Sequence, residues 1–380
     1  MLFVALKMLC ADRMKYYGLI VGIAFAAMLI TQQASILVGL TMQTGAFIRD
    51  TSQADLWVMD PQVRFSQDAL PLRDTVLQQT RGVPGVDWAV PLFQSFVPGQ
   101  MADGTRFNML LVGIDDATLV GGPPEMERGT LADLRRDRAV FVDAMAPDKL
   151  RMKNGGGRSV AVGDRLSIND HDAFVAGSYR GRPSFFWEPV LYTTYARALQ
   201  YAPPQRKLMS FVLVKVKRGD DIAAVARAIG STTGLAVRTN RQFIALTADY
   251  ILRETGILIN FGMAVALGFV IGLLVAGQTL YTFTVDNLRH YGSLKAMGVG
   301  DRSLAAMVLL QALVVAFLGY GIGVGAASVM GIFLTRAGLA FVMPWQVPAF
   351  TAAAIVVICS ASAVLSLRRV FRLEPAMVFR

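Results

Sequence analysis

The chain has 380 residues, 54% of them hydrophobic and only 17% charged, with a formal net charge of +10. That balance is too apolar for an average soluble protein. The positive surplus does not point to nucleic acid either: segment 41–250 holds 25 Lys/Arg against 22 Asp/Glu, so it carries no polyanion footprint.

Four apolar runs stand out, at 18–40, 257–284, 304–334 and 347–367. Each is long enough, at about 20 residues or more, to cross ~30 Å of hydrocarbon. Segment 1–17 precedes the first run and carries Lys7, Arg13 and Lys15. It resembles a signal-peptide n-region, but the run after it is too long for an h-region and no small-x-small cleavage site follows, so a retained anchor is expected. Leu2, Phe3, Leu6 and Leu9 share one face, which suits a cytoplasmic amphipathic helix on the inner membrane surface or a plain extension of the first span. Within that span, Gly18-x-x-x-Gly22 and then Gln32, Gln33 and Ser35 fit either a protein-facing side or the outer interface.

Segment 41–240 alternates strand-like and helix-like patterns. Strands are expected at 55–60, 86–97, 107–114, 139–142, 160–168, 211–216 and 235–237, with a hairpin signal at Asp103-Gly104. Helices are expected at 70–80 and at 220–229, the latter with an Asp cap. The recurrence implies an α+β domain. Ser184–Glu188 (SFFWE) is its most unusual patch. Phe185, Phe186 and Trp187 form either an exposed contact for substrate or partner, or a core strand buried on both faces.

From 241 to 284 the pattern is helical and free of proline. At ~1.5 Å per residue this is a rod of about 65 Å, a stalk continuing into the second span. Loop 285–303 is short and basic. Leu288, Tyr291, Leu294 and Met297 fall at three-residue steps. They predict a short amphipathic helix from Asp286 to Met297, stopped by Gly298, that presents Arg289, His290 and Lys295 to the cytoplasm. Its apolar face, Leu288, Tyr291 and Leu294, would meet the membrane or a partner's groove. The third span, 304–334, carries Gly319, Gly321, Gly323, Gly325 and Gly331, a packing surface for the second or fourth span. A short outer turn, 335–346, holds Pro344 and Trp345 and leads to the fourth span, 347–367, and a basic tail, 368–380.

Lys7, Arg13 and Lys15, then Arg289, Lys295 and Arg302, then Arg368, Arg369, Arg372 and Arg380 all fall on one side of a four-span topology. The positive-inside bias makes that side the cytoplasm, with both termini there and 41–240 exported. The two cysteines, Cys10 and Cys359, lie outside the exported segment, so no disulfide supports it. Signals for catalysis are absent. His171 and His290 fall on opposite sides, no His/Cys metal cluster exists, and Asn154–Arg158 (NGGGR) lacks the ending of a phosphate-binding loop. The spans hold almost no ionisable residue, so no hydrophilic path runs through them.

Tyr291–Gly298 (YGSLKAMG) followed by Asp301-Arg302 resembles the cytoplasmic loop of the MacB/FtsX-like ABC transporter permeases, the type VII-like transporters. The tail Arg368–Arg380 (RRVFRLEPAMVFR) resembles that family's ending, and Leu111–Asp115 (LVGID) a strand of its exported domain. Ala5–Leu9 (ALKML) and Ala54–Asp60 (ADLWVMD) are most similar to the DevC-like branch. The resemblance implies a membrane protein with four transmembrane α-helices and a large α+β periplasmic domain inserted between the first two. It implies a bacterial inner (cytoplasmic) membrane, a homodimer, and two copies of a separate cytoplasmic ABC ATPase that holds ATP and Mg, with no cofactor, metal or catalytic residue in this chain. The loop helix would be the coupling helix, docking through Leu288, Arg289, Tyr291, Leu294, Lys295, Met297 and Gly298. A periplasmic adaptor (membrane fusion) protein and an outer-membrane channel would complete an export machine that transmits movement across the membrane instead of passing solute through a pore. Many members carry an acidic residue where this chain has His290, so an ion pair to the ATPase is not expected there. Other readings are an FtsX-like regulator of cell-wall hydrolases, a membrane-anchored sensor without an ATPase, and lateral extraction of a lipid or haem through a groove between spans one and two, lined by Phe25, Met28 and Phe261.

Overall fold

The computed structural model describes residues 5, 7–8, 13–51, 53–144, 150–153, 156–185, 188–203 and 208–371. The chain divides into two compact units, Met1–Leu40 with Gly256–Arg380, and Thr41–Thr255.

The first unit is helical. Helices Arg13–Thr44, Ile257–Asp286, Asp301–Arg336 and Gln346–Phe371 (over Gln346–Leu367) are long and apolar enough to cross a membrane. They are called the first to fourth spans below. Pro348 is tolerated because it sits in the first turn of the fourth, where its missing N–H has no partner to lose. Small residues set the packing. Gly319 and Gly323 of the third span lie against Ile23, Ala24 and Ala27 of the first. A Cβ on Gly323 would stand 2.4 Å from the Ala24 carbonyl oxygen and 2.6 Å from the Ala27 Cβ. The glycine stripe therefore packs on the first span, not on the second or fourth as expected. Gly321 and Gly325 meet nothing within 4 Å, because a step of two residues turns the side-chain direction by about 200°. Gly331 takes the ring of Phe341. The second span closes on the first through Gly272 against Ala26 and Gly268 against Ile30. The Thr31 and Thr351 hydroxyls, 3.0 Å apart, join first to fourth.

The second unit is built on strands β1 Leu56–Met59, β2 Val86–Met101, β3 Arg106–Ile114, β4 Met126–Arg128, β5 Ala139–Asp143, β6 Arg165–Ile168, β7 His171–Tyr179, β8 Val190–Thr194, β9 Phe211–Val216 and β10 Ala236–Thr239. Their order is β10-β1-β9-β2-β3-β8-β5-β7-β4, with β6 joining β2 to β7. The strand β2 serves two neighbourhoods. Val86–Leu92 pairs with β9, whereas Phe93–Gln100 pairs with β3 across the Asp103-Gly104 turn. The pairings β2-β3-β8-β5-β7-β6-β2 close a ring, which leaves no free edge among those six strands. Along β3, Met109 and Leu111 enter one core while Leu110, Val112 and Ile114 enter another, so this continuous apolar run is buried on both faces. Helix Ile222–Thr233 starts at Asp221, whose carboxylate accepts from the Ala223 and Ala224 N–H groups.

Three expectations change here. The rod from 241 to 284 is not continuous. Helix Asn240–Glu254 ends, Gly256 takes φ +68°, and a new helix starts at Ile257. A left-handed glycine is the ordinary way to end a helix, and no proline is needed. The stretch 160–168 holds only β6, while β7 and β8 are additional strands. The aromatic patch is not a core strand at Phe185, which is half-buried in the segment before β8 and donates its N–H to the Gln43 carbonyl at 3.3 Å. Phe186 and Trp187 lie outside the described residues, as do Leu2, Phe3, Leu6, Leu9, Cys10 and the basic tail beyond Phe371.

The helix Asn240–Glu254 is fastened within its own unit. Trp57 Nε1 donates to Asn240 Oδ1 at 2.7 Å, and Asn240 Nδ2 donates to the Ala54 carbonyl at 2.9 Å. Phe65 stacks on Tyr250 with ring centroids 4.8 Å apart, and the Ser66 N–H donates to Thr247 Oγ1 at 3.1 Å.

Candidate functional site

The loop between the second and third spans forms a helix over Leu288–Ala296, shorter by two residues at its start and one at its end than the sequence suggests. Its end is set by Gly298 at φ +90°. The Gly298 N–H donates to the Lys295 carbonyl at 3.0 Å and the Val299 N–H to the Leu294 carbonyl at 3.1 Å. These paired bonds satisfy carbonyls that the helix end would leave open, and they require a residue that tolerates positive φ.

The orientation of the helix corrects the expected faces. Tyr291 is fully buried and Gly292 is buried beside it, while Leu294 is half-buried against the same apolar cluster as Leu304, Met307 and Val308. Tyr291 is thus spent on the chain's own bundle, and Leu294 in part. Leu288 is half-buried as well. Lys295 is turned toward Asp301, 3.0 Å away, with its side chain only 22% exposed. The outward face is Arg289, His290, Ser293, Ala296 and Met297, the last 72% exposed.

Beneath the helix lies a buried polar relay. Tyr291 Oη donates to Gln311 Oε1 at 3.2 Å, and Gln311 Nε2 donates to the Ala5 carbonyl at 2.8 Å. Burial pushes the Tyr291 phenol up to about 12, so at neutral pH it stays a neutral donor. Asp286, at the end of the second span, pairs with Lys15 at the start of the first. Sequence reasoning missed Gln311, Asp286 and Asp301. The available signal was Gln311 itself, an amide inside an apolar run.

The structure does not form the expected groove between the first two spans. Phe25 is exposed, Met28 and Phe261 are half-buried, and the Ala26–Gly272 and Ile30–Gly268 contacts close the seam. A shallow, open apolar depression runs along the fourth span beside Leu273 of the second, lined by Val356, Val357, Ser360, Ala361 and Val364 among others. Among the described residues no group of three His, Cys, Asp or Glu side chains gathers as a metal site. What the loop offers is a braced helix with one polar face outward, an arrangement suited to bearing load.

Comparison with known proteins agrees along most of the chain. Residues 18–232 match the MacB-like periplasmic core domain, and residues 262–375 match the FtsX-like permease C-terminal region. An uncharacterized ABC transporter permease of Mycobacterium bovis is 36% identical over 115 residues, 29% of this chain and 31% of that protein. Another, from Mycobacterium tuberculosis, is 33% identical over 125 residues, 32% of this chain and 34% of that protein. The chain thus spans about a third of the length of the curated relatives it matches. The crystal structure of the periplasmic region of MacB from Actinobacillus actinomycetemcomitans aligns with 51% of this chain and 92% of that one, at 14% identity and a TM-score of 0.37.

Proposed function

Since the chain belongs to the MacB/FtsX-like family of ABC transporter permeases, we propose that it is the membrane subunit of a transporter driven by a separate cytoplasmic ATPase, and that the loop helix is where the ATPase pushes. The observation that carries this reading is the braced loop helix. Tyr291, Leu294 and Lys295 fix it from beneath, and Arg289, His290, Ser293, Ala296 and Met297 stand outward. A helix that only linked two spans would need no such footing.

In this reading the loop and both termini face the cytoplasm of a bacterial inner membrane, as the distribution of Lys and Arg suggests. Two copies of the chain bind two ATPases. The outer stripe of the second span, Met263, Leu267, Val270 and Leu274, is exposed in one copy and repeats at steps of four, three and four residues, which suits a helix–helix seam. Movement reaches the exported domain, where an adaptor and an outer-membrane channel would take it up for export. The nearly charge-free spans support mechanical transmission over a solute path. The DevC-like branch rests on the Ala5–Leu9 and Ala54–Asp60 stretches alone.

The test is Met297→Asp and, separately, Arg289→Glu. Both side chains are exposed, so thermal stability should stay within about 0.5 kcal/mol of the parent. Stimulated ATP hydrolysis should fall about tenfold or more, because a charge pressed unpaired into a contact costs well over ~1.4 kcal/mol. Full stimulation in both variants would remove the docking face from this helix.

A further inference from the structure

We propose that the Gln311 side chain clamps the loop helix to the chain at Ala5, ahead of the first span, so that displacement of the loop helix reaches the first span as well as the second. What drives the displacement rests on the permease reading above; the clamp itself does not.

Gln311 is an amide only 1% exposed inside an apolar helix. A buried amide is costly unless both its ends are satisfied. Here they are, and by two different parts of the chain. Oε1 accepts from Tyr291 at the middle of the loop helix, while Nε2 donates to the carbonyl of Ala5, ahead of the first span. Ala5 is itself fully buried, and Met8 packs on the same cluster that holds Leu294 and Val299. An apolar side chain of similar size would fill the space more cheaply but would tie neither segment.

A second link flanks the first. Asp286 lies next to Asn287, where the loop helix begins, and pairs with Lys15. Both partners are about 40% exposed, so this pair adds little energy and mainly sets direction. The loop helix is therefore tied at its middle to Ala5, ahead of the first span, and at its start to Lys15, in the first turn of that span. The first span in turn is locked to its neighbours through Gly319, Gly323 and Gly272, which leave no slack for it to lag behind. Gln311 is a positioning residue in this scheme, acting through Tyr291 and the Ala5 carbonyl.

The experiment is hydrogen–deuterium exchange of the full-length protein in lipid nanodiscs, comparing the parent with Gln311→Leu and Tyr291→Phe. In Gln311→Leu, peptides covering 5–16 and 288–298 should both exchange about tenfold faster, the change expected for one lost buried hydrogen bond, with the rest of the bundle unchanged. Tyr291→Phe keeps the Gln311–Ala5 bond, so only 288–298 should speed up. Exchange in Gln311→Leu that leaves 5–16 unchanged, or that rises throughout the bundle, would overturn the clamp. So would faster exchange of 5–16 in Tyr291→Phe. Met297→Asp separates the two readings. It should leave both peptides as in the parent, so the exchange pattern can stand even if that variant still stimulates the ATPase and the docking face is lost.

Discussion

Asp50 shows how a single residue can carry a testable load. Its carboxylate is 7% exposed and accepts twice from Arg182, from Nη1 at 2.6 Å and from the backbone N–H at 3.0 Å. Burial nevertheless raises its pKa above the usual carboxylate range, with the Arg182 bonds and the charges of Arg182 and Arg49 pulling the other way. A folded-state pKa above the unfolded value means that this group's contribution to stability is fully present below about pH 4, the unfolded pKa, and is lost as pH rises through the folded one. Arg182→Met removes the cation and pushes the folded pKa higher still. We expect it to lower stability at pH 7 by about 1–3 kcal/mol and to recover part of that deficit at pH 5, read as thermal midpoints against the parent. A deficit independent of pH would mean that Asp50 does not depend on Arg182. The pair matters because Arg182 and Phe185 together hold segment 180–185 to residues 43–50, through Asp50 and Gln43. At this scale the sequence was informative about residue type and poor about direction. Leu288, Tyr291 and Leu294 have the spacing of an apolar face, and they form one. Spacing alone does not say whether that face meets lipid, a partner or the chain's own bundle; Gln311, 20 residues away, decides it.

At the scale of elements, the glycines of the third span separate what a pattern can and cannot reveal. Gly319, Gly321, Gly323 and Gly325 are readable as a packing surface, but of the two pairs four residues apart only Gly319 with Gly323 meets another helix, and the sequence does not say which helix. A branched side chain at 323 would strike the Ala24 backbone, so Gly323→Val should cost about 1–3 kcal/mol or more. Gly321→Val, with open space around it, should cost nothing in packing and gain a few tenths of a kcal/mol, about 0.3, in helix propensity. Fluorescence-detected size-exclusion after heating gives both midpoints, and equal midpoints would show that the spans part enough to admit a side chain. The same limit explains the broken rod. Thr255-Gly256 lies between two helical patterns with no proline, and a lone glycine in such a run is either tolerated or a stop; here it is a stop, with φ +68°. The strands β7 and β8 escaped notice for a related reason. The first opens on His171-Asp172 and the second follows the SFFWE run, so neither begins with the alternation that marks a strand.

For the whole molecule, the distribution of cores leads to a prediction about cooperativity. The large apolar cluster of the spans draws only on Met1–Leu40 and Gly256–Arg380, whereas the other three clusters draw only on Thr41–Thr255. This division was legible from the placement of the four apolar runs; its boundary at 255/256 was not, because helix Asn240–Glu254 is spent on contacts with Trp57, Phe65 and Ser66 that only the fold brings together. Thr41–Thr255 is large enough to hold a core of its own, so the excised unit should fold in water without detergent. Its two strand neighbourhoods should also melt together. They share β2, and at the point where that strand leaves β9 for β3 the Gln94 N–H donates to Ser210 Oγ at 2.9 Å while Ser210 Oγ donates back to the Gln94 carbonyl at 3.0 Å. Far-ultraviolet circular dichroism and tryptophan fluorescence, read in a Trp187→Phe background so that it reports Trp57 and Trp88 beside β9, should therefore give coincident transitions. Ser210→Ala removes both bonds at the crossover and should lower the common midpoint by several degrees, for a loss of about 1–2 kcal/mol. Two separated transitions in the parent unit would show that β2 does not bind the halves into one cooperative body.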